Sequence, residues 1–298
     1  MADRFLVTGA LGCIGAWTAT LLAREGTTVV AYDLDAGDQR LRLIASPEEI
    51  AGIAAVRGDV NDLTELERTL AEHEITHVVH LAALQVPFCR ADPVLGAHVN
   101  VVGTAAVLEA VKRAGLSTTV AYASSAAVYD EQGKIAPKTV YGVYKVANEG
   151  TARIYWQDHG VASIGLRPFC VYGPARDQGV TAEPTHAMRA AAAGQPYRIP
   201  FGRRTELHYA PDVARAFIQA SRTEPRGALV YDFPGAAVPM SEVVAAIEAA
   251  LPEAAGLVTF DDVQLPFPEE LPGERFDAPV TPLADGVRET IELFRAAR

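Results

Sequence analysis

Apolar and polar positions follow two rhythms in the first half of the chain. Short, nearly continuous apolar runs, expected of strands buried on both faces, alternate with stretches in which apolar residues return every third or fourth position, as on one face of a helix. "RFLVTGA" reads as the first strand, followed by a helix through "IGAWTATLLAREG" that Gly26 ends. "TVVAYDLD" is the second strand and "AAVRGDV" the third, followed by helix "NDLTELERTLAEH". "THVVHLAA" is the fourth, after which a long helix runs through "HVNVVGTAAVLEAVKRAG". "TTVAYASSAAVY" is the fifth strand, a helix follows that carries Tyr141 and Lys145, and "ASIGLRPF" is the sixth. This alternation predicts parallel βαβ units in a doubly wound α/β sheet, with the carboxyl ends of the strands along the edge where ligands bind.

After Pro174 the rhythm breaks. Residues 175–209 are mixed, 212–222 read as a helix and "GALVYDF" as a seventh strand. Then come a helix over 241–251, the proline-rich loop "LPFPEELPGERFDAP" and a last helix over 283–296. The predicted division is a sheet domain from 1–173 with 210–234, and a smaller lobe from 174–209 with 235–298.

Composition narrows the function. Of 298 residues 49% are hydrophobic and 21% charged, which predicts a sizeable core. A net charge of −11 argues against a sequence-independent grip on nucleic acid or an anionic membrane, although local backbone dipoles can still hold a small anion. Three widely spaced cysteines, Cys13, Cys89 and Cys170, make neither a disulfide framework nor a zinc pattern. The chain enters a strand almost at once, without a signal-peptide core, and no apolar run reaches the roughly 20 residues of a membrane span. The expectation is a cytoplasmic, soluble protein.

"VTGALGCIGAW" places Gly9, Gly12 and Gly15 between the first strand and the first helix. Glycines there let the backbone approach a pyrophosphate that rests on the helix's N-terminal amides, and the strand–turn–helix context is the required one. Asp33 lies 18 residues beyond Gly15, at the end of the second strand. A carboxylate there binds ribose hydroxyls and repels a 2′-phosphate, which favours NAD over NADP. Arg40 and Arg42 are the counter-evidence, as cations within reach of such a phosphate.

In "KTVYGVYK", Tyr141 stands four residues before Lys145 and so shares its helical face, whereas Tyr144 points elsewhere. An ammonium beside a phenol favours the phenolate and lowers its pKa from about 10 towards neutrality, which would make Tyr141 an acid–base group. The spacing alone also describes a surface pair. "HEITH", His73 to His77, imitates a zinc-protease motif, but Ile75 to Leu81 reads as a strand. At about 3.3 Å per residue the two histidines would stand more than about 10 Å apart, so no metal site is expected.

With these residues together, the sequence resembles the extended short-chain dehydrogenase/reductase family, the NAD-dependent epimerase/dehydratases. The resemblance spans nearly the whole chain and rests on "TGALGCIG", "GDV" at 58–60, "HLAA" at 80–83, "NVVGT" at 100–104, "ASSAAVY" at 123–129, "YGVYK" at 141–145 and "LRPFCVYGP" at 166–174. It implies a Rossmann domain that binds NAD through Gly9, Gly12, Cys13, Ile14 and Gly15 at the pyrophosphate and Asp33 and Leu34 at the adenosine. Asp59 and Val60 would flank the adenine, with Leu81, Ala82 and Ala83 beneath the ribose and pyrophosphate and Pro168 a further contact. Asn100 matches the family's structural and cofactor-side asparagine. Ser125 matches the catalytic serine, with Ser124 as runner-up. Tyr141 would take the substrate's hydroxyl proton while hydride leaves for the nicotinamide, and Lys145 would lower its pKa and bind the nicotinamide ribose. The lobe would bind a sugar-like substrate, with Gln85 and Arg176 as polar contacts beside Asp177 and Gln178. A homodimer formed by the helices near 99–114 and 142–159 is also implied, Ala147, Ile154 and Tyr155 lying at helical spacing on the second.

Departures from the pattern bear on the substrate. The usual asparagine of "RPFNVYGP" is Cys170. The arginine that commonly grips a nucleotide diphosphate aligns with Thr205, Arg204 lying one residue off register, and the aspartate before "DVA" is Pro211. Tyr141 stands only 16 positions after Ser125. These features favour a free sugar, sugar acid or polyol over a nucleotide sugar. A UDP-sugar epimerase or dehydratase with tightly bound NAD is the alternative, and a non-catalytic dinucleotide sensor the second. His186 and His208 read as packing or surface histidines.

Overall fold

The computed structural model describes residues 2–34 and 37–297. Asp35, expected to end the second strand, and the two terminal residues of the expected domains lie outside them. The first half unrolls as β1 (Arg4–Thr8), α1 (Cys13–Arg24), β2 (Thr28–Asp33), α2 (Gln39–Ile44), α3 (Pro47–Ala51), β3 (Ile53–Arg57), α4 (Leu63–Glu72) and β4 (His77–His80). Then follow α5 (Val86–Ala91), α6 (Pro93–Ala97), a π-helical turn (His98–Val102), α7 (Gly103–Arg113), β5 (Thr119–Ala123), α8 (Val140–His159), β6 (Ala162–Arg167) and β7 (Cys170–Tyr172). The second half adds α9 (Glu183–Ala192), β8 (Tyr197–Ile199), β9 (Arg204–Tyr209), α10 (Ala210–Ser221), β10 (Ala228–Asp232), β11 (Ala237–Pro239), α11 (Met240–Ala250), β12 (Val258–Phe260) and α12 (Leu283–Ala296).

Seven strands form one parallel sheet in the order β10-β6-β5-β4-β1-β2-β3. The order reverses between β1 and β4, and a crevice opens beyond the carboxyl ends of strands at such a switch point. Period-two alternation buries both faces. Phe5 and Val7 enter one apolar layer with Trp17 and Leu22 of α1 and Phe217 of α10, while Leu6 enters the opposite layer with Leu66 of α4 and Leu108 of α7. This is the doubly wound α/β sheet that the alternation predicts.

A third apolar cluster joins α9, α11 and α12, with Met188, Met240, Ile247 and Phe294 buried in it. It is framed by a three-stranded sheet, β11-β9-β7, and the β8–β12 pair. The sixth expected strand stops at Arg167, and Cys170–Tyr172 turns away to pair with β9 instead of extending the main sheet.

The helical run Pro93–Arg113 corrects one expectation. It has 21 residues and a mean hydropathy of 1.6, long and apolar enough by composition to cross a membrane. In the fold it packs against α4 and α8, with Val107, Leu108 and Val111 buried against the sheet. "HEITH" is divided between two elements: His73 follows the end of α4 and His77 opens β4.

Candidate active site

The glycine loop shows why its residues lack side chains. Gly9 has φ +67, and a Cβ there would lie 2.5 Å from the Ala82 nitrogen. A Cβ on Gly15 would lie 2.1 Å from the Gly9 carbonyl oxygen. No side chain among the described residues caps α1, whose first turn carries no acidic residue, so its leading amides are left for an anion. Asp33 Oδ2 accepts from the Leu11 amide at 2.8 Å, which holds the carboxylate beside the loop. Both arginines that counted against NAD are engaged elsewhere. Arg40 donates to Asp177 Oδ1 at 2.9 and 3.0 Å and to the Leu11 carbonyl, and Arg42 pairs with Asp38.

Leu34 is exposed just beyond β2. Asp59 accepts from the Asn61 amide and side chain at 2.9 and 2.8 Å, and Val60 is buried where Gly103 admits it. These residues stand at the β2–β3 end of the crevice, outside its enclosed part. The enclosed part has a volume of about 260 Å³. Gly9, Gly12, Cys13, Ile14, Gly15, Leu81, Ala83, Gln85, Ser125, Tyr141, Lys145, Pro168 and Arg176 all line it. Ala82 contributes its backbone behind Gly9.

Three expected positions differ. Asn100 is fully enclosed behind the wall, in the π-helical turn, and donates to the Leu84 and Gly96 carbonyls at 3.1 and 2.9 Å, so its side chain is structural and does not reach the crevice. Ser124, a substrate candidate, lines the crevice with Ser125, but its hydroxyl donates to Glu149 Oε1 at 2.5 Å. Glu149 in turn forms two hydrogen bonds with Arg167, each 2.7 Å, and Arg167 reaches Tyr129 and Asp232.

The third concerns Tyr141. Thr139 caps α8, its hydroxyl accepting from the Gly142 amide at 3.0 Å, and Tyr141 occupies the helix's first turn. It lines the crevice with Ser125, whose hydroxyl favours the phenolate. Tyr144 points away, donating to the Pro93 carbonyl at 2.7 Å. Lys145 Nζ lies 5.3 Å from the Tyr141 ring centre and donates to the Ala123 carbonyl at 2.8 Å. The phenol is nonetheless pushed up to about 12 by burial, against the Ser125 hydrogen bond and the Arg176 charge, and not down towards neutrality. The same burial pushes Lys145 down to about 8, opposed by the nearby Cys89 and Glu149. Loss of water is the largest cause for both groups. Cys13 is pushed up to about 11 by burial, which leaves it a neutral thiol in the loop.

The sequence reading missed part of the wall. Pro266 and Phe267 of the proline-rich loop fold over the crevice, with Val180 and Thr181 beside them. A phenylalanine between two prolines was the available signal. The clasp between Arg40 and Asp177, 137 residues apart, had none.

Comparison with known proteins agrees with this geometry. The family model for the NAD dependent epimerase/dehydratase family matches residues 5–230. UDP-glucose 4-epimerase of Mycolicibacterium smegmatis is 29% identical over 98% of each chain. UDP-glucuronate 4-epimerase 2 of Arabidopsis thaliana is 33% identical over 57% of this chain, and the match spans only 42% of that relative's length. The solved Thermus thermophilus UDP-glucose 4-epimerase in complex with NAD superposes with a TM-score of 0.76 at 27% identity, covering 99% of this chain and 100% of that one. The glycine cradle, the Ser125–Tyr141–Lys145 cluster and these likenesses together make the chain a member of the NAD-dependent epimerase/dehydratase family, whose cofactor is NAD.

Proposed function

We propose that the protein transfers hydride between a secondary hydroxyl of a sugar-like substrate and NAD, with Tyr141 as the acid–base group. The observation that carries this reading is the placing of Tyr141, Ser125 and Lys145 together in the crevice that the glycine loop also lines, with Lys145 Nζ 5.3 Å from the Tyr141 ring centre. NAD would rest on Gly9, Gly12, Cys13, Ile14 and Gly15, with its adenosine towards Asp33, Leu34, Asp59 and Val60. When bound it supplies the hydride acceptor.

The chain's own residues handle the proton. Ser125 holds the substrate oxygen, its Oγ already fixed by the Ala127 amide at 3.1 Å. Tyr141, as the phenolate, takes the hydroxyl proton and becomes the phenol as the carbon gives up hydride; Ser125 and the Arg176 charge favour that phenolate before the proton arrives. Lys145, anchored on Ala123, favours the same anion from the other side. Acid–base assistance of this kind is worth typically about 10²–10⁴-fold. Tyr141→Phe is expected to abolish turnover and leave NAD affinity nearly unchanged; wild-type turnover in that variant would remove Tyr141 from the mechanism.

A second reading is favoured by the full-length likeness to a UDP-glucose 4-epimerase: hydride returned to a nucleotide sugar from retained NADH. An NADH absorbance screen across sugars, sugar acids and UDP-sugars separates the two, since a UDP-sugar isomerised without net NADH supports the second. In the first reading the chain works in the cytoplasm, with a dinucleotide domain (1–173 with 210–234) and a substrate lobe (174–209 with 235–298). It pairs as a homodimer through exposed Leu95 and Val102 on one helical run and Val143 and Ile154 on α8.

A further inference from the structure

Arg176 lies on the loop between β7 and α9, and that loop follows a constrained course. Ala175 before it is buried with φ +70, a left-handed conformation that is costly for a non-glycine residue. Strain of this kind persists where surrounding structure holds it, commonly at functional sites. At Gly179, φ +94, a Cβ would lie 2.1 Å from Gln85 Oε1 and 3.2 Å from Arg176 Nη2. The loop therefore brings the guanidinium and the Gln85 amide together in the crevice wall.

The guanidinium is only partly satisfied. Nη2 donates to Thr181 Oγ1 at 3.1 Å, whereas Nε is enclosed without a hydrogen-bond partner. Among the described residues no carboxylate lies within ion-pairing distance of it. The adjacent acid, Asp177, is taken by Arg40. Arg167 and Arg275 each carry a carboxylate, Glu149 and Glu206 respectively. A half-buried cation without a counter-ion is costly unless a ligand supplies the charge. A planar guanidinium suits a carboxylate, which it can bind through two hydrogen bonds.

We propose that the substrate carries a carboxylate, received by Arg176 with Gln85 close to the hydroxyl that is oxidised; this rests on the redox reading of the same site. The substrate class is then a small hydroxy acid such as a sugar acid. Arg176 lines the same crevice as Ser125 and Tyr141, so a carboxylate held there belongs to the molecule being oxidised. A diphosphate is a poorer match. Arg204 is turned to the Ala237 carbonyl and Arg275 is held by Glu206, so Arg176 is left to meet two phosphates alone.

Calorimetry on the enzyme–NADH complex tests this with D-glucuronate and D-galacturonate against D-glucose, D-galactose and UDP-glucose. Each acid is expected to bind roughly 10- to 100-fold tighter than its neutral sugar, the scale of one charge-assisted hydrogen bond, and tighter than UDP-glucose. Arg176→Gln is expected to erase that preference while retaining NADH affinity, and Arg176→Lys to restore part of it. Equal binding of acid and neutral sugar, no binding of either acid, tighter binding of UDP-glucose, or an unchanged preference in Arg176→Gln overturns the proposal. Following NADH formation from the bound sugars separates the two readings. Selective acid binding without hydride transfer keeps the carboxylate site and sinks the redox reading. Turnover of neutral sugars without acid preference does the reverse.

Discussion

Lys145→Met is expected to make the protein more stable at neutral pH while destroying its activity. Lys145 is 3% exposed, and burial pushes its pKa from 10.5 to about 8. At roughly 1.4 kcal/mol per pH unit, holding it charged costs the folded state about 3 kcal/mol. Between pH 8 and 10.5 the unfolded chain keeps a proton that the folded chain has released, so stability rises with pH across that window. The penalty is therefore full below about pH 8 and gone above 10.5. Methionine fills similar space without charge but strands the Ala123 carbonyl, at a cost of about 1 kcal/mol. The net expectation is a gain of about 2 kcal/mol at pH 7 that fades and reverses by pH 10.5. Urea unfolding without added NAD, at both pH values, measures it. A variant less stable than wild type at pH 7, or a difference that ignores pH, would refute the argument that burial governs this amine.

Other consequences follow from the same geometry. Gly15→Ala puts a Cβ 2.1 Å from the Gly9 oxygen, so the loop must open, and NAD affinity measured by calorimetry is expected to fall at least about 10-fold. Asp33→Ser removes the acceptor of the Leu11 amide and the charge that repels a 2′-phosphate; the ratio of NADP to NAD affinity is expected to rise, and an unchanged ratio would show that Asp33 does not select the cofactor. His80, buried between the Thr8 and Thr104 hydroxyls, is pushed down to about 3 by burial and by the Lys145 charge. Its folded value lies below the unfolded 6.5, so stability is lost as pH falls through that interval, at up to about 1.4 kcal/mol per pH unit. His80→Asn is expected to flatten that part of a pH–denaturation series. Light scattering on Leu95→Glu with Ile154→Glu should report a monomer where the wild type is a dimer.

Local chemistry made most of the fold legible. Buried parallel strands need apolar runs, helices between them need a 3.6-residue stripe, and a backbone that must touch both Ala82 and its own helix start admits only glycine at positions 9 and 15. The choice of Tyr141 over Tyr144 also followed from spacing, because a helix turns neighbouring side chains apart and sends Tyr144 to Pro93. Spacing could not supply the environment. The acidity of Tyr141 depends on how much water its surroundings exclude and on Ser125 and Arg176, which arrive from other segments. The same limit hid the engagement of Arg40 by Asp177 and of Arg275 by Glu206, and with it the fact that Arg176 is, among the described residues, the arginine left unpaired in the crevice. Short-range patterns specify elements because a few adjacent residues decide them; which charges end up neutralised is settled only when residues far apart in the chain meet, and that is a property of the tertiary structure alone.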